Sequence, residues 1–243
     1  MKYKCTQTIS AGSCDPNGRL SLLGGLVLME DVVTVALDKM QINGFNMRRK
    51  FGAVLVFSKN HVQFLQQIAW NEKVKITCFI SAKSAARLSV DVCVKNARGL
   101  AMYGRTEVCA VDVTAGRIRR LDAVGIGQGI KVFEPLHAME WSPIEPAQNL
   151  VENVVVRTGN IDYAGHTNNV EYIRLLLNTF TLEEWRGDIV PKEIQVAYIS
   201  QSFLGNNLAI YSQDNKVADT SLNQRLFTIK KDDKDVLRCV IRW

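Results

Sequence analysis

Asp162-Tyr163-Ala164-Gly165-His166-Thr167-Asn168-Asn169-Val170-Glu171-Tyr172 places a carboxylate, a glycine turn, an imidazole and two amides just before an apolar helical pattern. A helix start carries backbone N–H groups without intrahelical partners and a partial positive charge. A carbonyl seated there would be polarised, and a water held by the acid could attack it, which is the chemistry of ester or thioester hydrolysis. Each residue also has a plainer reading. Asp162 could brace the turn, Gly165 could supply a left-handed backbone angle, and His166 could be a satisfied buried residue.

Working outward, the same spacing occurs a second time. Cys14-Asp15-Pro16-Asn17-Gly18-Arg19 repeats the Asp-x-x-Gly-x order, with Arg19 where the later copy has His166. Each copy follows a short extended run (Thr6 to Ile9; Val154 to Thr158). Each precedes a helical pattern, about Leu20 to Met40 in the first and Asn168 to Trp185 in the second. Val170, Ile173, Leu176 and Leu177 fall at helical spacing, as expected of ordinary core packing.

Strand-like segments follow each helix. In the first half they are Ala53 to Ser58 with His61 to Gln66, Val74 to Ala82, Arg87 to Lys95 and Ala101 to Val113. In the second half they are Glu193 to Ser200, Asn207 to Gln213, Asn223 to Lys230 and Asp235 to Trp243. Asn96 to Gly99 and Lys231 to Lys234 read as hairpin turns. One long helix wrapped by an antiparallel sheet, twice in tandem, gives an α+β chain. The proline-bearing stretch from Glu134 to Pro146 separates the copies, so the expected domains are 1–146 and 147–243.

Composition narrows the function classes. No apolar run reaches the ~20 residues of a membrane helix, because Leu20 to Met40 is interrupted by Gly24, Gly25, Glu30, Asp31 and Asp38. The N-terminus lacks the pattern of a secretory signal, so the chain reads as cytoplasmic. Six cysteines form no C-x-x-C pair and no His/Cys cluster, so they read as reduced and non-catalytic, with no metal and no cofactor implied. The net charge of +6 lies in the first half, where 19 basic face 12 acidic residues; the second half has 11 against 12. Arg48-Arg49-Lys50 and Arg117-x-Arg119-Arg120 carry part of it. No aromatic residues interleave with these clusters in a nucleic-acid-binding motif. An acidic partner or a plainly solvated face are the readings that remain.

The cluster Asp-x-x-Gly-His-x-Asn-Asn-x-x-Tyr resembles the signature of hotdog-fold thioesterases. With Asp15-x-Asn17-Gly18-Arg19-Leu20, Gly52-Ala53-Val54-Leu55 and Ile194 to Gln201, the chain resembles acyl-acyl carrier protein (acyl-ACP) thioesterases over essentially its full length. The resemblance implies a double hotdog and the release of fatty acids from an acidic carrier protein in fatty acid biosynthesis. It implies that Asp162 activates water or attacks directly, and that His166 and Asn168 position the thioester or water. The backbone at Thr167, Asn168 and Asn169 would hold the thioester oxygen. The family motif usually reads Asp-x-Asn-x-His, so Ala164 is a departure that shifts the implied work to Asp162. Gln201 stands in for a downstream acid that is usual there. The first half would shape the acyl site, with Leu26, Met29 and Val33 among the expected liners, and would dock the carrier without a catalytic motif of its own. A coenzyme A thioesterase and a non-catalytic acyl-binding protein are the alternatives. A tandem pair needs no second chain to complete its site, and association into a homodimer stays open.

Overall fold

The computed structural model describes residues 1–42, 44–127, 129–186, 190–216 and 223–243. They form two compact units, Met1–Glu140 and Trp141–Trp243, dividing six residues ahead of the boundary expected from the prolines.

In the first unit, strand β1 (Tyr3–Thr8) leads through a 3-10 turn at Ala11–Ser13 to helix α1 (Leu22–Lys39) and a short helix α2 (Gly44–Phe51). Strands β2 (Ala53–Phe64), β3 (Lys73–Lys83), β4 (Arg87–Asn96) and β5 (Gly99–Asp112) follow, with a two-residue β6 (Ile118–Arg119). All pair antiparallel in the order β1-β3-β4-β5-β2, with β6 on the other part of β5. Where the sequence suggested two strands between Ala53 and Gln66, one strand runs through. A bulge between Phe57 and Lys59 absorbs the irregularity, and Ser58 turns its hydroxyl to Glu107 at 2.7 Å.

The second unit repeats this plan. Strand β7 (Asn149–Val155), a 3-10 turn at Thr158–Asn160, helix α3 (Asn169–Leu177) and a short helix α4 (Leu182–Arg186) precede the rest of the sheet. That sheet is completed by β8 (Glu193–Tyr198), β9 (Asn207–Lys216), β10 (Asn223–Lys231) and β11 (Lys234–Arg242). Its antiparallel order, β7-β9-β10-β11-β8, is that of the first unit strand for strand. The β10–β11 turn holds Asp232 and Asp233 at φ 49° and 61°, the left-handed pair that a two-residue hairpin favours.

The continuous second helix expected to reach Trp185 is divided after Leu177. Thr179 returns its hydroxyl to Leu176 O, and Thr181 then starts a new helix with a capping box. Its Oγ1 accepts from Glu184 N–H at 3.2 Å, while its own N–H donates to Glu184 Oε2 at 2.7 Å. Phe180, between the two helices, packs on Phe227 and Trp243.

Helix α1 buries Leu22, Leu26, Met29, Val33 and Ala36 almost completely and packs over β3 and β4. Two glycines set the distance. A Cβ at Gly25 would lie 2.6 Å from the Phe64 ring, and one at Gly104 would lie 2.5 Å from Met29 Sδ.

The inter-copy stretch does more than cross over. Residues 133–139 seal the sheet face opposite α1, packing on Phe79, Cys93 and Tyr103. There Asp91, fully buried, accepts from Ser81 Oγ at 2.6 Å, from Arg105 Nε and Nη2 at 2.7 and 2.8 Å, and from the Tyr103 hydroxyl. Arg105 reaches Met139 O, and Tyr103 accepts from Leu136 N–H, so the buried charge also fastens the strap. In the second unit, Ile144 and Ala147 pack on Leu226 and Val240 in the same manner. The six cysteines are free thiols, and burial pushes Cys78 and Cys93 up to about 12, as expected of inert apolar side chains.

Candidate functional site

The two Asp-x-x-Gly turns superimpose in their hydrogen bonds at a constant offset of 147 residues. Asp15 N–H donates to Arg19 O and Asp162 N–H to His166 O, at 2.7 and 2.9 Å. Gly18 and Gly165 return N–H to the aspartate carbonyl, both at positive φ. Isolated bridges pair Cys14 with Leu20 and Ile161 with Thr167. Ser21 and Asn168 then cap α1 and α3, each accepting from a first-turn N–H at 2.9 Å. These local bonds explain why both sequences break, turn and start a helix at the same point.

The carboxylates differ where the backbones agree. Asp15 is saturated: Oδ1 accepts from Asn17 and Arg19 N–H, and Oδ2 from the Arg19 guanidinium at 2.9 Å. Both of its oxygens are therefore engaged, one of them by a cation. Asp162 accepts a single bond on Oδ1, from Ala164 N–H at 2.8 Å, and its Oδ2 accepts none among the described residues. His166 Nδ1 stands 3.9 Å from Asp162 Oδ1, too long for a hydrogen bond, with both side chains about one quarter exposed. The second copy therefore presents an acid and an imidazole that are adjacent, reachable and largely uncommitted.

The helix start is more selective than the sequence implied. Thr167 N–H is taken by Ser202 O and Asn168 N–H by Asn160 O, both within 3 Å. Of the three backbone donors expected to hold an oxyanion, that leaves Asn169 N–H, the first residue of α3, with no acceptor among the described residues. Asn168 contributes its side-chain oxygen to the helix as a cap. Thr167 is buried, its hydroxyl 2.7 Å from Ser202 Oγ.

Gln201 lies on the segment that follows β8. Its side chain is exposed, and its carbonyl accepts from Lys231 Nζ at 3.1 Å. The next residue ties this segment to the motif. Ser202 is fully buried, its hydroxyl 2.7 Å from Tyr172 OH, which in turn accepts Ser202 N–H at 2.9 Å. Phe203 sets its ring edge-to-face with His166 at 5.9 Å. The structure thus brings Asp162, His166 and the segment that carries Gln201 into one neighbourhood at the start of α3. Sequence reasoning missed Ser202, Phe203 and Lys231. Tyr172 was quoted in the motif without a role, and its spacing of four from Asn168 was the available signal for a helical partner.

Comparisons with known proteins agree with this architecture. Residues 144–243 match the family model of the acyl-ACP thioesterase C-terminal domain. No curated protein sequence matches the chain. Among solved structures it is similar to an acyl-ACP thioesterase from Bacteroides thetaiotaomicron, with 16% identity and a TM-score of 0.84 over 99% of this chain and 96% of that one. It is also similar to a 12:0-ACP thioesterase from Umbellularia californica, with 15% identity and a TM-score of 0.79 over 100% and 93%. At those identities the likeness establishes the double hotdog fold. The chain thus carries a region similar to the acyl-ACP thioesterase C-terminal domain over residues 144–243 and has the double hotdog fold along its length.

Proposed function

We propose that the chain hydrolyses fatty acyl-ACP to free fatty acid and carrier in the cytoplasm, within fatty acid biosynthesis, and that Asp162 is its catalytic acid–base group. The observation that carries this reading is the open Oδ2 of Asp162 on the turn that leads into α3, whose first N–H, that of Asn169, has no acceptor among the described residues. The carboxylate takes a proton from water, and the hydroxide attacks the thioester carbonyl carbon. Negative charge gathers on the former carbonyl oxygen, which Asn169 N–H and the helix start stabilise, a contribution of roughly 3 kcal/mol per donor. Collapse expels the thiolate, which takes up the proton and leaves as free thiol. Direct attack by Asp162 through a transient anhydride fits the same geometry.

His166 lies close enough to position the water or thioester, and its ring is steadied by Phe203. Gln201, exposed beside the motif, orients the water without titrating. Asn168 acts through the cap that fixes the helix start, and Thr167 through its bonds to Ser202. The first unit takes up the acyl chain and docks the carrier. Its turn is barred from the same chemistry because Arg19 occupies Asp15. Arg48, Arg49 and Lys50 are exposed on α2 and suit an acidic carrier. Arg119 and Arg120 face Asp112 and Asp122, which weakens the second cluster as a docking surface.

Asp162→Asn tests the assignment. Thiol release is expected to fall by at least about a hundredfold with the melting temperature retained. Near-normal turnover in the folded variant removes Asp162 from the mechanism.

A further inference from the structure

Helix α1 carries an acid where the repeated fold does not need one. Glu30 lies in the middle of α1 and accepts from Asn60 Nδ2 of β2 at 2.8 Å, a polar bridge across the gap between helix and sheet. Asn60 is wholly buried. Burial holds the Glu30 carboxyl up to about 7, partly offset by the Asn60 hydrogen bond and reinforced by Asp31. An acid and an amide so placed carry a desolvation cost that an apolar pair avoids.

The second unit makes that comparison directly. The turns and helices correspond at an offset of 147, so Glu30 corresponds to Leu177. The strand that ends in paired N–H groups to a single carbonyl (Leu65 and Gln66 to Ala101 O; Ile199 and Ser200 to Val236 O) corresponds at an offset of 134, so Asn60 corresponds to Ile194. Leucine and isoleucine stand at those two positions in the second unit. The polar pair in the first unit is therefore not a requirement of the fold.

Its place on the helix indicates what it serves. The stripe of Leu22, Leu26, Met29 and Val33, which includes the liners expected from sequence, is almost completely buried. The neighbouring stripe of Leu23, Val27 and Glu30 runs at helical spacing and is only half-buried. It presents two apolar side chains and then a hydrogen-bonding pair. We infer that Glu30 and Asn60 form a binding site, within the first unit, for a hydrogen-bonding substituent such as a hydroxyl or oxo group on the acyl chain. This rests on the thioesterase reading. A carboxyl shared with an amide can both donate to and accept from such a group, whereas a plain methylene offers it no hydrogen bond.

The test compares carrier-linked acyl thioesters of matched length, saturated or bearing one hydroxyl at varied positions, by thiol release. It is run on the wild type and on Glu30→Leu/Asn60→Ile, which copies the pair already folded into the second unit. The wild type is expected to show a kcat/KM ratio favouring one hydroxylated isomer by roughly tenfold, the value of about one net hydrogen bond. In the double variant that ratio falls toward one. The same ratio in both proteins, or no hydroxylated isomer preferred by the wild type, overturns the inference and leaves the hydrolase reading intact. Should no thioester be cleaved, the hydrolase reading fails. Calorimetric titration with the free hydroxylated and saturated fatty acids then decides the site alone: tighter binding of the hydroxy acid that the double variant loses supports it, and equal binding overturns it. If the double variant does not fold, the same titrations with Glu30→Leu and wild type decide it on the same criteria.

Discussion

The difference between Asp15 and Asp162 is one of occupancy. Two turns with one backbone path carry aspartates in the same position, and Arg19 occupies one while His166 leaves the other accessible. Exchanging that residue should therefore exchange the states. His166→Arg is expected to bring a guanidinium onto Asp162 and reduce kcat by more than tenfold with the fold retained, measured by thiol release beside a thermal melt. Ala164 offers the reverse. Asn17 sits at the corresponding place in the first turn with its N–H on Asp15 Oδ1, as Ala164 N–H sits on Asp162 Oδ1. The backbone therefore accepts asparagine, and Ala164→Asn is expected to raise kcat several-fold by adding an amide beside the acid, with little change in melting temperature. Asp162, His166 and the turn glycine were legible because local chemistry declares them. The loss of Thr167 and Asn168 as oxyanion donors was not legible, since Ser202 O takes the first of those N–H groups from 35 residues away.

At the scale of elements, α3 is held to the segment after β8 by Thr167, Ser202 and Tyr172, a buried network in which every hydroxyl has a partner. Removing one member leaves others unsatisfied. Tyr172→Phe or Ser202→Ala should each cost about 1–3 kcal/mol in chemical denaturation, and the double variant should cost less than the sum. Helix α1 makes a different prediction. A carboxyl raised from its ordinary value to about 7 in the folded state binds a proton there that the unfolded chain has already released. Its contribution is therefore full below the ordinary glutamate range. It declines as pH rises toward 7 and is gone above it, a change of at most about 3 kcal/mol. Glu30→Gln should flatten that part of the stability–pH curve; an unchanged slope would count against a buried acid. Strand positions were largely readable from alternation. The division of the second helix was not, because Thr181 and Glu184 form a capping box inside a pattern that remains apolar on one side. The Asp91–Arg105 network was hidden as well: its members are scattered over β3, β4 and β5, and only tertiary pairing shows that they hold the strap at residues 133–139.

For the whole molecule, tandem duplication was the most legible property, because one short motif recurring before a helix predicts the rest of its unit. The units share strand order, turn geometry and helix caps, and differ in the few side chains that decide chemistry. Charge was legible as a total but not in its availability. The residues Arg48, Arg49 and Lys50 are exposed, while Arg119 and Arg120 answer local aspartates. Reversing Arg48, Arg49 and Lys50 to glutamate should lower kcat/KM for the carrier-linked substrate by about tenfold at low salt, and by less at high salt. Stopped-flow or initial-rate measurements across ionic strength check this. No helix among the described residues is long and apolar enough to cross a membrane. The central claim is that the uncommitted carboxylate of the second turn performs the hydrolysis. The measurement that meets it most directly is thiol release from an acyl carrier thioester by wild type and Asp162→Asn at equal folded concentration. Rapid release by the first and a loss of at least about a hundredfold in the second is the predicted result; equal rates, or no release by either, would contradict it.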